Sequence, residues 1–303
     1  MAWIPAGTFV MGSDRHFPEE SPAHKVWVDG FYMDVHPVTN AEFAAFVEET
    51  GYLTIAELGA EKIHPSAHPD PLSSQGSHVF IPVATDHDPA CKSYAWRLLP
   101  EANWRHPLGR DSDIHGLDHH PVVHVAYADA HAYARWAGKD LPTEAQWEYA
   151  ARAASQDDYP WGVDLVPGGH HMANTWQGDF PCENTGEDGY RRTSPVGAYP
   201  PNAFGVCDLI GNVWEWTSDF WSPRHDRPRA NIIRRNPKVT NAVESCLAFG
   251  ASGQVPRRVL KGGSHLSDVE HSPRYRPPAR RARAIDHPAC DIGFRCIRLA
   301  PSL

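Results

Sequence analysis

The segment from Lys261 to Arg276 reads Lys-Gly-Gly-Ser-His-Leu-Ser-Asp-Val-Glu-His-Ser-Pro-Arg-Tyr-Arg and concentrates groups that could do chemistry. His265 and His271 are imidazoles, Asp268 and Glu270 carboxylates, and Ser264, Ser267 and Ser272 hydroxyls. Two imidazoles and a carboxylate with open positions are the ligands of a non-haem Fe(II) centre, and imidazole also suits copper. His265, Glu270 and His271 are therefore candidate ligands of a redox metal, iron or copper. They would serve an oxidase or oxygenase acting on a small or peptidyl substrate. The competing origin is plainer: a polar loop in a chain with 19 histidines collects His and Glu as solvated surface residues. The serines do not help to hold Cu(I), because that soft ion takes thiolates and a hydroxyl is hard and protonated at neutral pH.

A second chemistry belongs to oxygen. The stretch from Asn174 to Tyr190 mixes carboxylates, amides and backbone carbonyls on an irregular loop, which is what Ca²⁺ requires. The same Asn, Asp and Gly residues also serve as ordinary turn formers. The run His119-His120-Pro121-Val122-Val123-His124 looks like a metal cluster, and Arg280-Arg281-Ala282-Arg283 is a small basic patch. Such a patch is usually a solvated face and can steer an acidic partner.

These groups need elements to position them. Thr39 and Glu42 form a capping box, with Phe43, Phe46 and Val47 following at helical spacing and Gly51 as the stop. A second helix is predicted over Ala128 to Ala137, and a third from the Thr143 cap, with Gln146 closing its box and Trp147, Ala150 and Ala151 inward. Lys25 to Asp29 and Phe31 to Met33 read as strands joined in a hairpin across Asp29-Gly30. Val259 to Lys261 reads as a strand running into the glycine pair, and Gly293 to Leu299 as a closing strand. Residues 52–117 read as an excursion of loops, and residues 222–258 as a second, basic loop.

Composition limits the function classes. There are 28 basic and 37 acidic groups in 303 residues, so 28 − 37 = −9, which argues against nucleic acid as the main partner. No apolar run is long enough for a membrane span, and the N-terminus has no basic or apolar leader, which predicts a cytoplasmic protein. With 28 prolines, 23 glycines and 11 tryptophans, the fold should be rich in loops anchored by large rings. The six cysteines show no CxxC spacing and are expected to be free thiols.

Many segments, in order, carry a resemblance. They include Ile4-Pro5-Ala6-Gly7-Thr8-Phe9-Val10-Met11-Gly12-Ser13, Asn103-Trp104-Arg105-His106-Pro107, Leu141-Pro142-Thr143-Glu144-Ala145-Gln146-Trp147-Glu148, Asn184-Thr185-Gly186-Glu187-Asp188-Gly189, Gly211-Asn212-Val213-Trp214-Glu215-Trp216 and Gly293-Phe294-Arg295-Cys296, besides the 261–276 segment. Together they resemble the formylglycine-generating enzymes, or sulfatase-modifying factors, across nearly the whole chain. The resemblance implies one α+β domain over residues 1–303, of the C-type-lectin-like kind, with low regular secondary structure. It implies one calcium held by Asn174, Thr175, Asp188 and Tyr190, and a second by Asp208, Gly211, Val213 and Glu215. It also implies an oxidation pocket in which two thiolates bind Cu(I) and a substrate cysteine becomes an aldehyde. Here those two positions are Ser267 and Ser272, while Ser264, Trp214, Arg274 and Tyr275 match the rest of the pocket. The inactive paralogue of the family also lacks the pair. His271 stands where the family has an aromatic, which would let its imidazole enter the pocket. A relocated thiol pair, Cys290 with Cys296, is a lesser alternative. Cys296 has lost its family partner, because the matching position is Ala134, which fits a reducing compartment. By the same resemblance His120 and His124 are hydrogen-bonded packing residues.

Two hypotheses result. The first is a calcium-stabilised monomer without copper that keeps the groove and recognises a peptide or protein partner, a sulfatase-like substrate being disfavoured by the missing thiols. The second is an oxidase or oxygenase with a rebuilt His/carboxylate site on the 265–271 loop.

Overall fold

The computed structural model describes residues 1–59, 75–82, 95–226, 232–247 and 255–300. Cys91 and parts of the 52–117 and 222–258 loops lie outside the described residues.

Local signals set the helices. In α1 (Asn40–Thr50) the Thr39 hydroxyl accepts from the Glu42 amide, Glu42 accepts from the Thr39 amide at 2.8 Å, and Gly51 ends the helix at φ 66°. Thr54 and Glu57 repeat the device at the short α2 (Ile55–Leu58), inside a region expected to be loops only. The next helix, α3 (Tyr127–Trp136), starts one residue before the expected Ala128. Its cap residue, Ala126, has no side-chain acceptor. Asp129 closes the end instead, accepting from the Ala126 amide at 2.7 Å and from the Ile55 amide and Tyr52 hydroxyl at 3.0 Å each. The Thr143–Gln146 box opens α4 (Glu144–Arg152) as predicted, and α5 (Ala242–Leu247) lies within the 222–258 stretch.

The strands are short: β1 (Ala2–Ile4), β2 (Gly7–Met11), β3 (His24–Val28), β4 (Phe31–Met33), β5 (Ser77–Phe80), β6 (Trp96–Leu99), β7 (Trp214–Phe220), β8 (Arg234–Arg235), β9 (Arg257–Lys261), β10 (Arg280–Ala284), β11 (Ile292–Gly293) and β12 (Ile297–Leu299). They form sheets of order β1-β4-β12, β10-β9-β7-β11, β2-β3-β8 and β5-β6. Two expectations are corrected here. β3 and β4 do not pair as a hairpin: β3 joins β2 and β8, while β4 joins β1 and β12. The closing strand is also two pieces, because Arg295 turns inward between them and is fully buried against Glu215.

One core gathers Phe43, Phe46, Trp104, Tyr133, Trp214, Trp216 and Phe294 between α1, α3 and the β7–β9–β11 sheet. A second packs Ile4, Phe9, Val26, Phe31 and Met33 against Trp147 and Tyr149 of α4. The basic patch is not a solvated face. Arg280 is buried, with its guanidinium 2.7 Å from the Glu144 carboxylate, and Arg283 is half-buried, donating to the His287 carbonyl. Among the described residues no helix is long and apolar enough to cross a membrane.

Candidate functional site

β9 delivers the reactive segment. Lys261 is buried at its end, 3.1 Å from Glu148 and 3.7 Å from Glu144. Gly262 and Gly263 follow at φ +100° and +76°, and a Cβ on Gly263 would stand 2.8 Å from that of Tyr275. Only glycine turns the chain there without strain. Backbone hydrogen bonds then tie the segment to both oxygen-rich loops. Gly211 donates to the Gly262 carbonyl, His265 to that of Asn212, and Trp176 to that of Ser267, each at 2.9 Å. Asn212 in turn donates to the Asn174 carbonyl at 2.8 Å.

Ser264, Ser267 and Ser272 line one open cavity of about 430 Å³ with Trp214 and Arg274. Tyr275 does not line it. Its ring is buried, stacked on Tyr159 at 6.2 Å, and burial pushes its phenol up. The hydroxyls of Ser264 and Ser267 are engaged in shaping the loop. Ser267 Oγ accepts from the Ser264 amide at 3.1 Å, and Ser264 Oγ donates to Asp291 at 3.2 Å while accepting from the Leu266 amide. Arg274 is paired with Glu19 at 2.9 Å and lies over Phe17. Arg280, Arg281 and Ala282 of the basic patch also line it, while the sequence did not point to Glu19, Trp96, Phe180, Trp221 or Asp291. Asp291 stands just before the Gly293-Phe294-Arg295 motif, the one local signal among them; Glu19 arrives from the other end of the chain.

The candidate redox ligands are not brought together. Asp268 accepts from the backbone amides of His271 and Ser272 and from His271 Nδ1, the last at 2.7 Å. The His271 ring rests on Phe180 instead of entering the cavity, and Glu270 is exposed. His265 opens into a different cavity. Among the described residues no three His, Cys, Asp or Glu side chains form a set that could hold a metal ion. Nor do Cys290 and Cys296 pair. Cys290 belongs to the cluster of Phe80, Trp176 and Leu266, and Cys296 to the main core. The histidine run also separates, with His120 on Thr193 and His124 buried between Ser77 and the Pro107 carbonyl.

The oxygen-rich loops differ in their needs. Asn174, Thr175, Asp188 and Tyr190 are brought together: Asp188 accepts from the Thr175 amide at 2.9 Å and the Tyr190 amide at 3.0 Å. Thr175 O and Asp188 Oδ2 converge on one point, the Gln177 amide nitrogen, at 2.5 and 2.8 Å. Beside them Asn174 Oδ1 is buried with no hydrogen-bond partner among the described residues, an acceptor left open as a hard cation would need. In the second set Glu215 is already taken up by Arg295, at 2.8 and 2.7 Å, and by the Trp147 indole at 2.8 Å. The Asp208 carboxylate accepts from the Gly197 amide at 2.6 Å, and burial holds that carboxyl above its ordinary range. A Cβ on Gly211 would stand 2.2 Å from the Asn174 carbonyl, so the two loops are packed backbone to backbone. The donor set thus fits calcium at the first site, whereas at the second Glu215 is spent on Arg295 and Trp147.

A loop-rich α+β fold with two oxygen-donor loops behind a cavity of aromatic, hydroxyl and guanidinium groups defines the class. The sulfatase-modifying factor enzyme 1-like domain matches residues 1–300, and the chain belongs to that family. It is 48% identical over 297 residues to the formylglycine-generating enzyme of Mycobacterium tuberculosis, covering 97% of this chain and 96% of that protein. It is 35% identical over 305 residues to the inactive C-alpha-formylglycine-generating enzyme 2 of Mus musculus, covering 98% and 84%. Among solved structures, PvdO from Pseudomonas aeruginosa superposes with a TM-score of 0.65 at 25% identity, over 98% of this chain and 93% of that one.

Proposed function

We propose that this protein binds a peptide or protein partner in the serine cavity and does not carry out copper-thiolate oxidation. The observation that supports this most is the state of Ser267. Its oxygen holds the Ser264 amide, so the position is part of the loop's framework and offers no soft ligand. The walls suit an extended peptide: Trp96, Phe180, Trp214 and Trp221 supply apolar and aromatic surface. Arg281, 3.9 Å from Asp291 and partly exposed, has donors left for a peptide carbonyl or carboxylate. We further propose calcium at the first oxygen-rich loop, held by Asn174, Thr175, Asp188 and Tyr190. Calcium there would stiffen the loops to which the cavity segment is tied.

A metal inventory of the purified protein, with anaerobic titration by Cu(I) and Fe(II), tests both parts. Calcium near stoichiometry with neither redox ion retained supports the reading. Iron or copper near one per chain, released by His265→Ala or His271→Ala, would replace it with the oxidase. Ser267→Cys with Ser272→Cys should create Cu(I) binding if the cavity differs from an oxidising one only at those two atoms. Selection from a displayed peptide library should give ligands whose binding quenches tryptophan fluorescence and is lost in Arg281→Glu. A library without binders removes the peptide proposal.

A further inference from the structure

Leu266 lines a second cavity as well, of about 280 Å³, walled by Phe80, Trp176 and Cys290 and reached by Arg192, Glu183 and His265. It brings an imidazole and an exposed guanidinium beside apolar rings. His265 is only 3% exposed. Its Nδ1 lies 2.8 Å from the Asn212 carbonyl, and a carbonyl only accepts, so Nδ1 carries the proton. Burial lowers the basicity of the ring. Nε2 is then a bare lone pair in the cavity wall, without a hydrogen-bond partner among the described residues. Arg192 forms no ion pair among the described residues. Its charge nonetheless reaches His265, His124 and Cys290. The Cys290 thiol accepts from the Phe80 amide at 3.3 Å and is pushed up to about 12 by burial, so it is a neutral wall and not a ligand. A metal cation is disfavoured by the Arg192 charge and by the absence, among the described residues, of further ligands.

The geometry calls for a ligand with three features: an anion for Arg192, a hydrogen-bond donor for His265 Nε2, and an apolar body for Phe80, Trp176 and Leu266. We propose that this cavity binds a small carboxylate carrying a donor beside an apolar side chain, an α-hydroxy or α-amino acid. An amino acid would also place its ammonium toward Glu183. This site is independent of the peptide reading of the serine cavity.

Calorimetric titration of the whole protein with L-3-phenyllactate, L-phenylalanine and 3-phenylpropionate tests it. Either of the first two should bind at sub-millimolar concentration. The third, which lacks the donor, should bind about tenfold more weakly, the value of one hydrogen bond. Arg192→Gln, an exposed position whose loss leaves the core untouched, should weaken binding by about tenfold or more. Arg281→Gln, in the other cavity, should leave it unchanged. Preference for phenylalanine that disappears in Glu183→Gln assigns an amino acid, and preference for phenyllactate assigns a hydroxy acid. No heat with either ligand at millimolar concentration, or binding indifferent to Arg192→Gln, overturns the proposal.

Discussion

Leu266 stands between two cavities made partly by one segment, and their polar walls are in opposite states. On the serine side Ser264 and Ser267 are bound to backbone or carboxylate, and Arg274 has its glutamate. On the other side a buried imidazole, and a guanidinium with no ion pair among the described residues, lie beside apolar rings. A buried imidazole beside an exposed guanidinium and apolar rings offers a small ligand both polar and apolar contacts. In the larger cavity Ser264, Ser267 and Arg274 are spent on internal bonds, and Arg281 keeps donors for a partner.

The comparison can be broken most severely at its shared support. Lys261→Met leaves Glu148 and Glu144 without their common cation, in full burial. We expect a loss of roughly 3–5 kcal/mol in urea unfolding, with both cavities affected together. A loss below 1 kcal/mol, on the same order-of-magnitude scale, would mean that Arg152 and Arg280 suffice to hold the acids.

Acid should separate the two sides. His78 and His124, hydrogen-bonded to the backbone of Cys290 and Ala289 beside the smaller cavity's wall, are lowered by burial to about 4 and about 3. Their folded-state values lie below the unfolded one, so the unfolded chain binds more protons in acid. The stability they contribute is present above about pH 6.5 and is lost as pH falls toward 4 and 3. For His124 the effect is on the order of 3 kcal/mol by pH 4. Asp129, raised to about 7 by burial, acts in the opposite sense, its stabilisation growing as pH falls through 7. The difference between the parent and His124→Gln isolates the histidine: the variant should show a shallower decline below pH 6.5, and parallel curves would refute the assignment.

Leu266→Ala should join the cavities, at about 2–3 kcal/mol for a buried leucine, and should make ligands of the two sites compete. Continued independence of the two ligands would show that another wall separates them. The smallest effect is expected at Ser267→Ala, which removes one acceptor from the Ser264 amide at about 1–2 kcal/mol. An unchanged melting temperature there would return Ser267 to the list of groups available for chemistry.

The legible parts of the fold were those decided locally. Thr39 with Glu42 and Thr143 with Gln146 are three residues apart, so the sequence contains the whole device. Pairing partners were not legible. Asp29-Gly30 has the chemistry of a hairpin turn, yet the flanking strands part because better apolar faces for each lie elsewhere in the chain. Arg280 read as solvated because its neutralising Glu144 is remote in sequence. The cavity's serines and Trp214 were found by resemblance of whole segments, whereas Glu19 could only come from the three-dimensional arrangement. The convergence of His265, Glu270 and His271 failed because Asp268, three residues before His271, captures that imidazole locally.

Ile297 pairs with Met33, far back in the sequence, and Ile292 with Trp214. During synthesis β4 therefore has β1 but not β12 beside it until residues 297–299 have been made. Contacts of such long sequence separation form late and slowly. The waiting edge of β4 makes this sheet the step at which a chaperone would be of most use.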